Sequence, residues 1–199
     1  MKMIGITGGV GSGKSQVLSW LKENCQGQFL EADKIAHRLM LRGGPCYPAV
    51  CQLFGETVVG GDGELDRGKM AEQVFRKPEL RERLNAIVHP AVKTYIRQAA
   101  EQARAQGEKF LFLEAALLIE EKYDEICDEL WYVYAEEKVR RERLKASRRY
   151  SDQKIDGIIG SQLPEQQFRS HCCFVLDNSG DFRETIQQLE QRMKIYENV

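Results

Sequence analysis

Residues 8–15 read Gly8-Gly9-Val10-Gly11-Ser12-Gly13-Lys14-Ser15, and the reading of this stretch decides the fold. It fits the spacing G-x-x-x-x-G-K-[ST]. The apolar run Met3–Thr7 before it reads as a short buried strand, and Ser15–Glu23 after it reads as a helix. Strand, glycine-rich turn and helix in that order aim a row of backbone N–H groups at one point, and the helix N-terminus adds positive partial charge there. Such a point holds phosphate. Residues Gly8, Gly9, Val10, Gly11, Ser12, Gly13, Lys14, Ser15 and Gln16 are therefore the candidate nucleotide cradle. Lys14 is placed to reach β- and γ-phosphates, and the Ser15 hydroxyl to ligate Mg²⁺. The bland alternative is a glycine-rich turn that binds nothing. A dinucleotide-binding reading is weaker still, because no G-x-G-x-x-G occurs at this turn and Lys14-Ser15 follows the last glycine.

Working outward, strands and helices alternate as in a parallel α/β sheet. Phe29–Glu31 reads as a second strand and Asp33–Leu41 as a helix with Ile35, Leu39 and Met40 on its apolar stripe. Phe110–Leu113 is apolar on both faces, which suits a central strand. Leu130–Tyr134 and Phe174–Leu176 read as two more strands, and Asp181–Tyr196 as a closing amphipathic helix. The middle breaks the alternation. Tyr47–Phe54, Arg67–Phe75, Pro78–Val88 and Ala91–Gln106 all read as helices, with a turn at Gly60–Gly63. The expected architecture is a single α/β domain, with a sheet core over about 1–45, 108–136 and 172–199. A helical substrate region over about 46–107 and a lid over about 137–171 complete it.

Asp33 ends the second strand, where ligands of open α/β sheets gather. A carboxylate there can orient and deprotonate an attacking hydroxyl. It can equally cap the helix that starts at Lys34, and the two roles are compatible. Glu114 closes the apolar strand at 110–113. It stands either as a carboxylate near Mg²⁺ or as a solvent-facing strand end.

Further segments narrow the choice: Glu31-Ala32-Asp33-Lys34-Ile35-Ala36-His37, Leu84-Asn85-Ala86-Ile87-Val88-His89-Pro90, Leu113-Glu114-Ala115-Ala116-Leu117-Leu118 and Val175-Leu176-Asp177-Asn178. With the loop, this ordered set resembles the dephospho-coenzyme A kinase family across nearly the whole chain. The resemblance implies a P-loop NTPase fold, a coenzyme-A-binding helical region and a mobile lid. It implies that ATP, with Mg²⁺, phosphorylates the ribose 3′-hydroxyl of dephospho-coenzyme A. It implies that Asp33 is the catalytic base, that His37, Arg38 and His89 lie near the acceptor, and that Asn178 lies near the adenine of ATP. The sequence departs from the family pattern at Glu31, Ala116 and Cys173, and lacks an arginine before Gln162. None of these is Lys14, Ser15 or Asp33.

Between the last two strands Lys138, Arg140, Arg141, Arg143, Lys145, Arg148 and Arg149 crowd one short segment. Most of such a run is a solvated helix face. One or two arginines are expected to swing over the phosphates and exclude water. Spacing favours Arg148, at the predicted helix end, with Arg143 second. No aromatics interleave with these charges, which argues against an RNA-binding face.

Composition limits the rest. The formal net charge is -1, so no overall basic field points to nucleic acid. No apolar run is long enough to span a membrane, and the chemistry at Gly8 leaves no room for a cleavable leader. The six cysteines include no C-x-x-C pair, as expected for reduced cytosolic thiols. A cytoplasmic monomer is expected. Another nucleotide kinase would share loop and lid but not the Leu84–Pro90 segment, and a GTPase-like switch would carry an N-K-x-D motif that is absent.

Lys14→Ala tests the cradle. Its ammonium offsets charge that grows on the transferring phosphate, so turnover should fall by roughly two orders of magnitude or more. The thermal midpoint should hardly move. Steady-state kinetics with a melting curve checks both, and near-normal turnover would remove the phosphate from this loop.

Overall fold

A computed structural model describes residues 1–197. In chain order the elements are β1 (Lys2–Thr7), α1 (Lys14–Asn24), β2 (Gln28–Glu31), α2 (Ala32–Met40), α3 (Tyr47–Phe54), α4 (Arg67–Arg76) and α5 (Glu79–Ala105). Then follow β3 (Phe110–Glu114), β4 (Glu129–Tyr134), α6 (Glu137–Arg148), α7 (Asp152–Gly160), α8 (Glu165–His171), β5 (Phe174–Asp177) and α9 (Phe182–Glu197). They divide into two compact units: residues 1–29 with the chain from 107 onward, and residues 30–106.

In the first unit the strand order is β2-β3-β1-β4-β5. β1 runs parallel to both neighbours, with Ile6 opposite Glu114 of β3 and opposite Trp131 of β4. β5 continues parallel to β4, Trp131 facing Phe174. Parallel strands put all their C-termini on one edge. β1 is also where the crossovers change direction, so the turn that leaves it at Gly8 opens onto the ligand crevice of such a sheet. One face of the sheet buries Ile4, Ile6, Phe112, Trp131, Val133 and Leu176 against Val17, Leu18 and Leu21 of α1 and Leu189 and Met193 of α9. An aromatic row crosses this face. Phe29 stacks on Phe112 at 4.8 Å, and Trp131 meets Phe112 and Phe174 edge-on at 6.4 and 5.1 Å. The opposite face is as apolar, with Met3, Leu111, Leu113 and Leu130 all buried. That is why β3 reads as a continuous apolar run rather than an alternation.

The second unit is helical. α2 and α3 pack against α5. A short 3₁₀ turn at Glu56–Val58 leads into a bridge between Val59 and Leu65 around the glycine turn, and the Tyr47 hydroxyl donates to the Gly63 carbonyl at 2.5 Å. The chain from Pro78 to Gln106 is expected to form two helices broken at Pro90. It forms one helix of 27 residues with Pro90 inside. Proline removes one helical N–H and crowds the preceding turn, at a cost of about 3 kcal/mol. Val88 before it and Val92, Ile96 and Ala100 after it are all buried. Burial on both sides of Pro90 offsets that cost. A second difference is α8, which the sequence reading left inside the lid segment. It starts after Pro164 with Glu165 in its first turn.

At the N-terminal edge of the sheet Glu129 ties three elements together. Its carboxylate lies 3.2 Å from Lys2 Nζ and accepts from Trp131 Nε1 at 3.1 Å, Arg192 at 2.7 Å and the Tyr196 hydroxyl at 2.5 Å. Burial pushes this carboxyl up, but the hydrogen bonds from Tyr196, Trp131, Arg192 and Lys2 outweigh burial and hold it at about 2, below the ordinary 4.5. A folded-state value below the unfolded one contributes stability that is present above about pH 4.5 and is lost as pH falls toward 2. Glu129→Gln should lower the thermal midpoint at neutral pH by roughly 5–10 °C. It should also flatten the midpoint-against-pH curve between pH 4.5 and 2. Melting curves across that window check this; parallel curves for the two proteins would deny Glu129 the role.

Candidate phosphate site

In the turn after β1 the carbonyls of Gly8, Val10 and Ser12 point into protein, each accepting from a side chain. Ser12 N–H donates to the Gly9 carbonyl at 3.1 Å, closing the turn. Gly13 sits at φ 90°, left-handed, and is the residue from which α1 springs without a side-chain cap. A β-carbon at Gly13 would also strike the Asn178 amide. Only glycine meets both demands. The first N–H groups of a helix lack acceptors within it; in α1 that of Gln16 donates to the Gly13 carbonyl at 3.0 Å. Lys14 Nζ donates to the Gly8 carbonyl at 2.6 Å, which holds its ammonium over the turn. Ser15 and Gln16 are exposed in the same first turn. Ser12 Oγ is buried with no hydrogen-bond partner among the described residues. The donor set is amide N–H, ammonium and hydroxyl, which is the chemistry of a phosphate grip. The Ser15 hydroxyl, and Glu114 level with Ile6 on the neighbouring strand, are the oxygens at this end of β1 and β3 that suit Mg²⁺.

The basic helix α6 is sorted by face. Arg140 Nε donates to the Val10 carbonyl at 2.9 Å, and its terminal nitrogen makes a short bond to Gln162 Oε1. The same Gln162 oxygen accepts the Val10 N–H at 3.3 Å. Arg143 donates to the Ser12 carbonyl at 3.3 Å. A β-carbon on Gly9 would lie 2.5 Å from the Arg140 guanidinium carbon, so arginine and loop touch face to face. Burial lowers the pKa of Arg140; an arginine nonetheless stays charged. Arg141 pairs with Glu137 at 2.8 Å and Asp156 at 2.7 Å, and Lys145 with Asp152 at 2.6 Å, which fastens α6 to α7. Arg148, the arginine that spacing favours, is exposed at the end of α6 with its guanidinium 5.9 Å from the Tyr150 ring. Arg143 meets expectation in touching the loop. The sequence pattern does not single out Arg140 or Gln162: Arg140 and Arg148 both lie one turn from Leu144, the buried residue of α6, so helical spacing puts both on its side.

Asn178 follows β5 and is completely buried. Its Nδ2 donates to the Ser12 carbonyl at 2.7 Å and its Oδ1 accepts from the Thr185 hydroxyl at 2.9 Å.

In the second unit Asp33 lies in the first turn of α2 and is exposed. The residue at the N-cap is Glu31, and no side chain caps the helix. The capping role open to Asp33 from sequence is therefore not the one it plays, though a carboxylate in a first helical turn is favoured by the helix dipole. His37 is one turn on from Asp33 and also exposed. Arg38 lies over the Tyr95 ring of α5 at 4.6 Å. His89 is half-buried within α5, not at a helix end, because α5 continues through Pro90.

Residues 2–184 match the family model described as Dephospho-CoA kinase. The dephospho-CoA kinase of Streptococcus pyogenes serotype M1 is 34% identical over 196 residues, 98% of each chain. The crystal structure of TT1252 from Thermus thermophilus superposes with a TM-score of 0.80 at 30% identity, covering 97% of this chain and 96% of that one. A dephospho-CoA kinase from Campylobacter jejuni, at 19% identity and a TM-score of 0.75 over 100% and 99% of the two chains, shares the fold.

Arg140→Ala should lower turnover about 10²-fold or more, as for loss of one preorganised charge donor. Arg148→Ala should stay within about threefold, as for an exposed charge. Parallel kinetics on the two variants checks the assignment; the reverse order would return the lid role to Arg148.

Proposed function

This chain belongs to the dephospho-CoA kinase family, enzymes that phosphorylate dephospho-coenzyme A in coenzyme A biosynthesis, and we propose the atoms and residues by which it does so. The γ-phosphoryl group of ATP passes to the ribose 3′-hydroxyl, giving coenzyme A and ADP. The observation that carries this reading is the amide-lined turn at Gly8–Ser15 with Lys14 and Arg140 held on its carbonyls, in a chain matched over residues 2–184.

The hydroxyl oxygen bonds to the γ-phosphorus as the bond to the β,γ-bridging oxygen breaks. Negative charge gathers on the bridge and on the equatorial oxygens. Loop N–H groups other than those of Val10, Ser12 and Gln16, which bond within the protein, meet that charge together with the Lys14 ammonium and need little reorganisation. Arg140 supplies a further positive charge from α6 and excludes water. Mg²⁺, when bound, would neutralise the β- and γ-oxygens, with the Ser15 hydroxyl as its protein ligand and Glu114 as its second candidate. Asp33 accepts the proton of the 3′-hydroxyl and holds that oxygen in line. His37, Arg38 and His89 serve the acceptor nucleotide, and Asn178 serves the ATP side. Residues 46–107 bind the acceptor and residues 137–171 act as the lid. The same reading holds the enzyme to be a monomer that works in the cytoplasm. Among the described residues no helix is long and apolar enough to cross a membrane.

A coupled ADP-release assay over a panel of acceptors tests the substrate, and phosphorus NMR of the product tests the 3′ position. Release of ADP with adenosine or shikimate but not with dephospho-coenzyme A would overturn the reading. Asp33→Asn tests the base. Asn keeps the size and removes the charge. The variant should fold, bind ATP, and lose ~10²-fold or more in turnover. A folded, ATP-binding Asp33→Asn protein with wild-type rate would retire Asp33 as the base.

A further inference from the structure

The loop's outward amides are only as well aimed as its inward carbonyls are held. The Ser12 carbonyl is held from two sides, by Arg143 at 3.3 Å and by Asn178 Nδ2 at 2.7 Å. The Asn178 bond is the shorter, and both its ends are buried: Asn178 and Ser12 expose 0% and 1% of their surface. The orientation of the amide is dictated by its partners. Ser12 offers a carbonyl, so the NH₂ group must face it, and the oxygen then faces Thr185. Thr185, in the first turn of α9, is itself 1% exposed. Its one hydroxyl proton has two acceptors in reach, Asn178 Oδ1 at 2.9 Å and the Asp177 carbonyl at 3.2 Å. The Asn178 oxygen is the nearer acceptor, and the Asp177 carbonyl already receives Gln188 Nε2 at 2.9 Å, so the Thr185 proton is assigned to Asn178. The Asn178 backbone is fixed as well, its N–H donating to the Tyr134 carbonyl at 2.8 Å. The amide also fills the space a β-carbon on Gly13 would need.

We infer that Asn178 and Thr185 are positioning residues for the phosphate grip. The relay Thr185–Asn178–Ser12 holds the left-handed turn at Gly13, so that β5 and α9 set the aim of the amides at the start of α1. Asn178 then serves the nucleotide through the loop and not through adenine. The inference rests on the loop being the triphosphate site, but not on the identity of the acceptor.

The test uses inorganic tripolyphosphate, which has no adenine and needs no acceptor. Thr185→Val keeps the shape and removes the relay's proton; Thr185→Ser restores it. Thr185→Val should weaken tripolyphosphate and ADP by the same factor, about three- to tenfold. KM for dephospho-coenzyme A should be unchanged, and Thr185→Ser should be close to wild type. Asn178→Ala should weaken both ligands more, and if it does not fold, Thr185→Val carries the test alone. A purely structural role would lower the thermal midpoint and the active fraction while leaving both affinities in place, and that result overturns the inference. So does a loss confined to ADP with tripolyphosphate unmoved, which would put Asn178 on the adenine. Inactivity of the wild type toward dephospho-coenzyme A would sink the substrate reading while leaving the tripolyphosphate comparison intact.

Discussion

A peptide N–H carries a fraction of a charge, and a single one holds phosphate poorly in water. Several fixed in convergent directions at a helix start hold it well, because they need no reorganisation when charge arrives. The rest of this molecule's first unit depends on that fixing. Gly13 at φ 90° turns the chain into α1, and each carbonyl thus swung inward needs a partner. Gly8, Val10 and Ser12 find them in Lys14, Arg140, and Arg143 with Asn178. The sheet brings those partners together. Its parallel strands deliver the ends of β1, β4 and β5 to one edge, and the aromatic row beneath keeps them in register.

The basic helix α6 shows how magnitude sorts similar charges. Arg141 and Lys145 pair with acidic partners at exposed positions, where an ion pair contributes little and salt screens it. Arg140 is half-buried against the loop, in bonds to a backbone carbonyl and to Gln162. There the lower dielectric strengthens its interaction with any anion on the loop. The Gln162 oxygen accepts from both Val10 N–H and Arg140, so one carboxamide sets the distance between α6 and the loop. At the far edge of the sheet Glu129 anchors β1, β4 and α9, which ties the helix bearing Thr185 to the same frame as the loop.

The helical unit carries a different balance. α5 runs through Pro90 because burying Val88, Val92 and Ile96 on one helix outweighs one missing hydrogen bond. His89 is consequently held on a rigid element, and the Arg38–Tyr95 contact joins α2 to the same helix. The residues assigned to the acceptor thus stand on packed helices rather than on loops, where their geometry is better defined.

Local chemistry made much of this legible in one dimension. The loop needs glycines, lysine and serine at fixed spacing between a strand and a helix, so Gly8–Ser15 announced the fold and the phosphate site together. The strands at 110–114 and 129–134 were legible because burial on both faces leaves a continuous apolar run. Asp33, His37 and His89 entered through ordered motifs, which name residues without placing them. What pattern could not supply was anything set by partners distant in sequence. Nothing local in Glu137–Arg148 distinguishes Arg140 from Arg148; the distinction comes from loop carbonyls about 130 residues away. Pro90 reads locally as a stop, and only packing of both flanks overrules it. Asn178 reads as a residue near a ligand, but its amide turns inward because Ser12 and Thr185, from opposite ends of the chain, leave it a buried carbonyl and a buried hydroxyl to join. Sequence by itself determined the grip and its chemistry, since those reside in one contiguous turn. Tertiary structure alone decided which side chains hold the grip in shape, because a buried polar group takes the partner that the fold puts within hydrogen-bond reach.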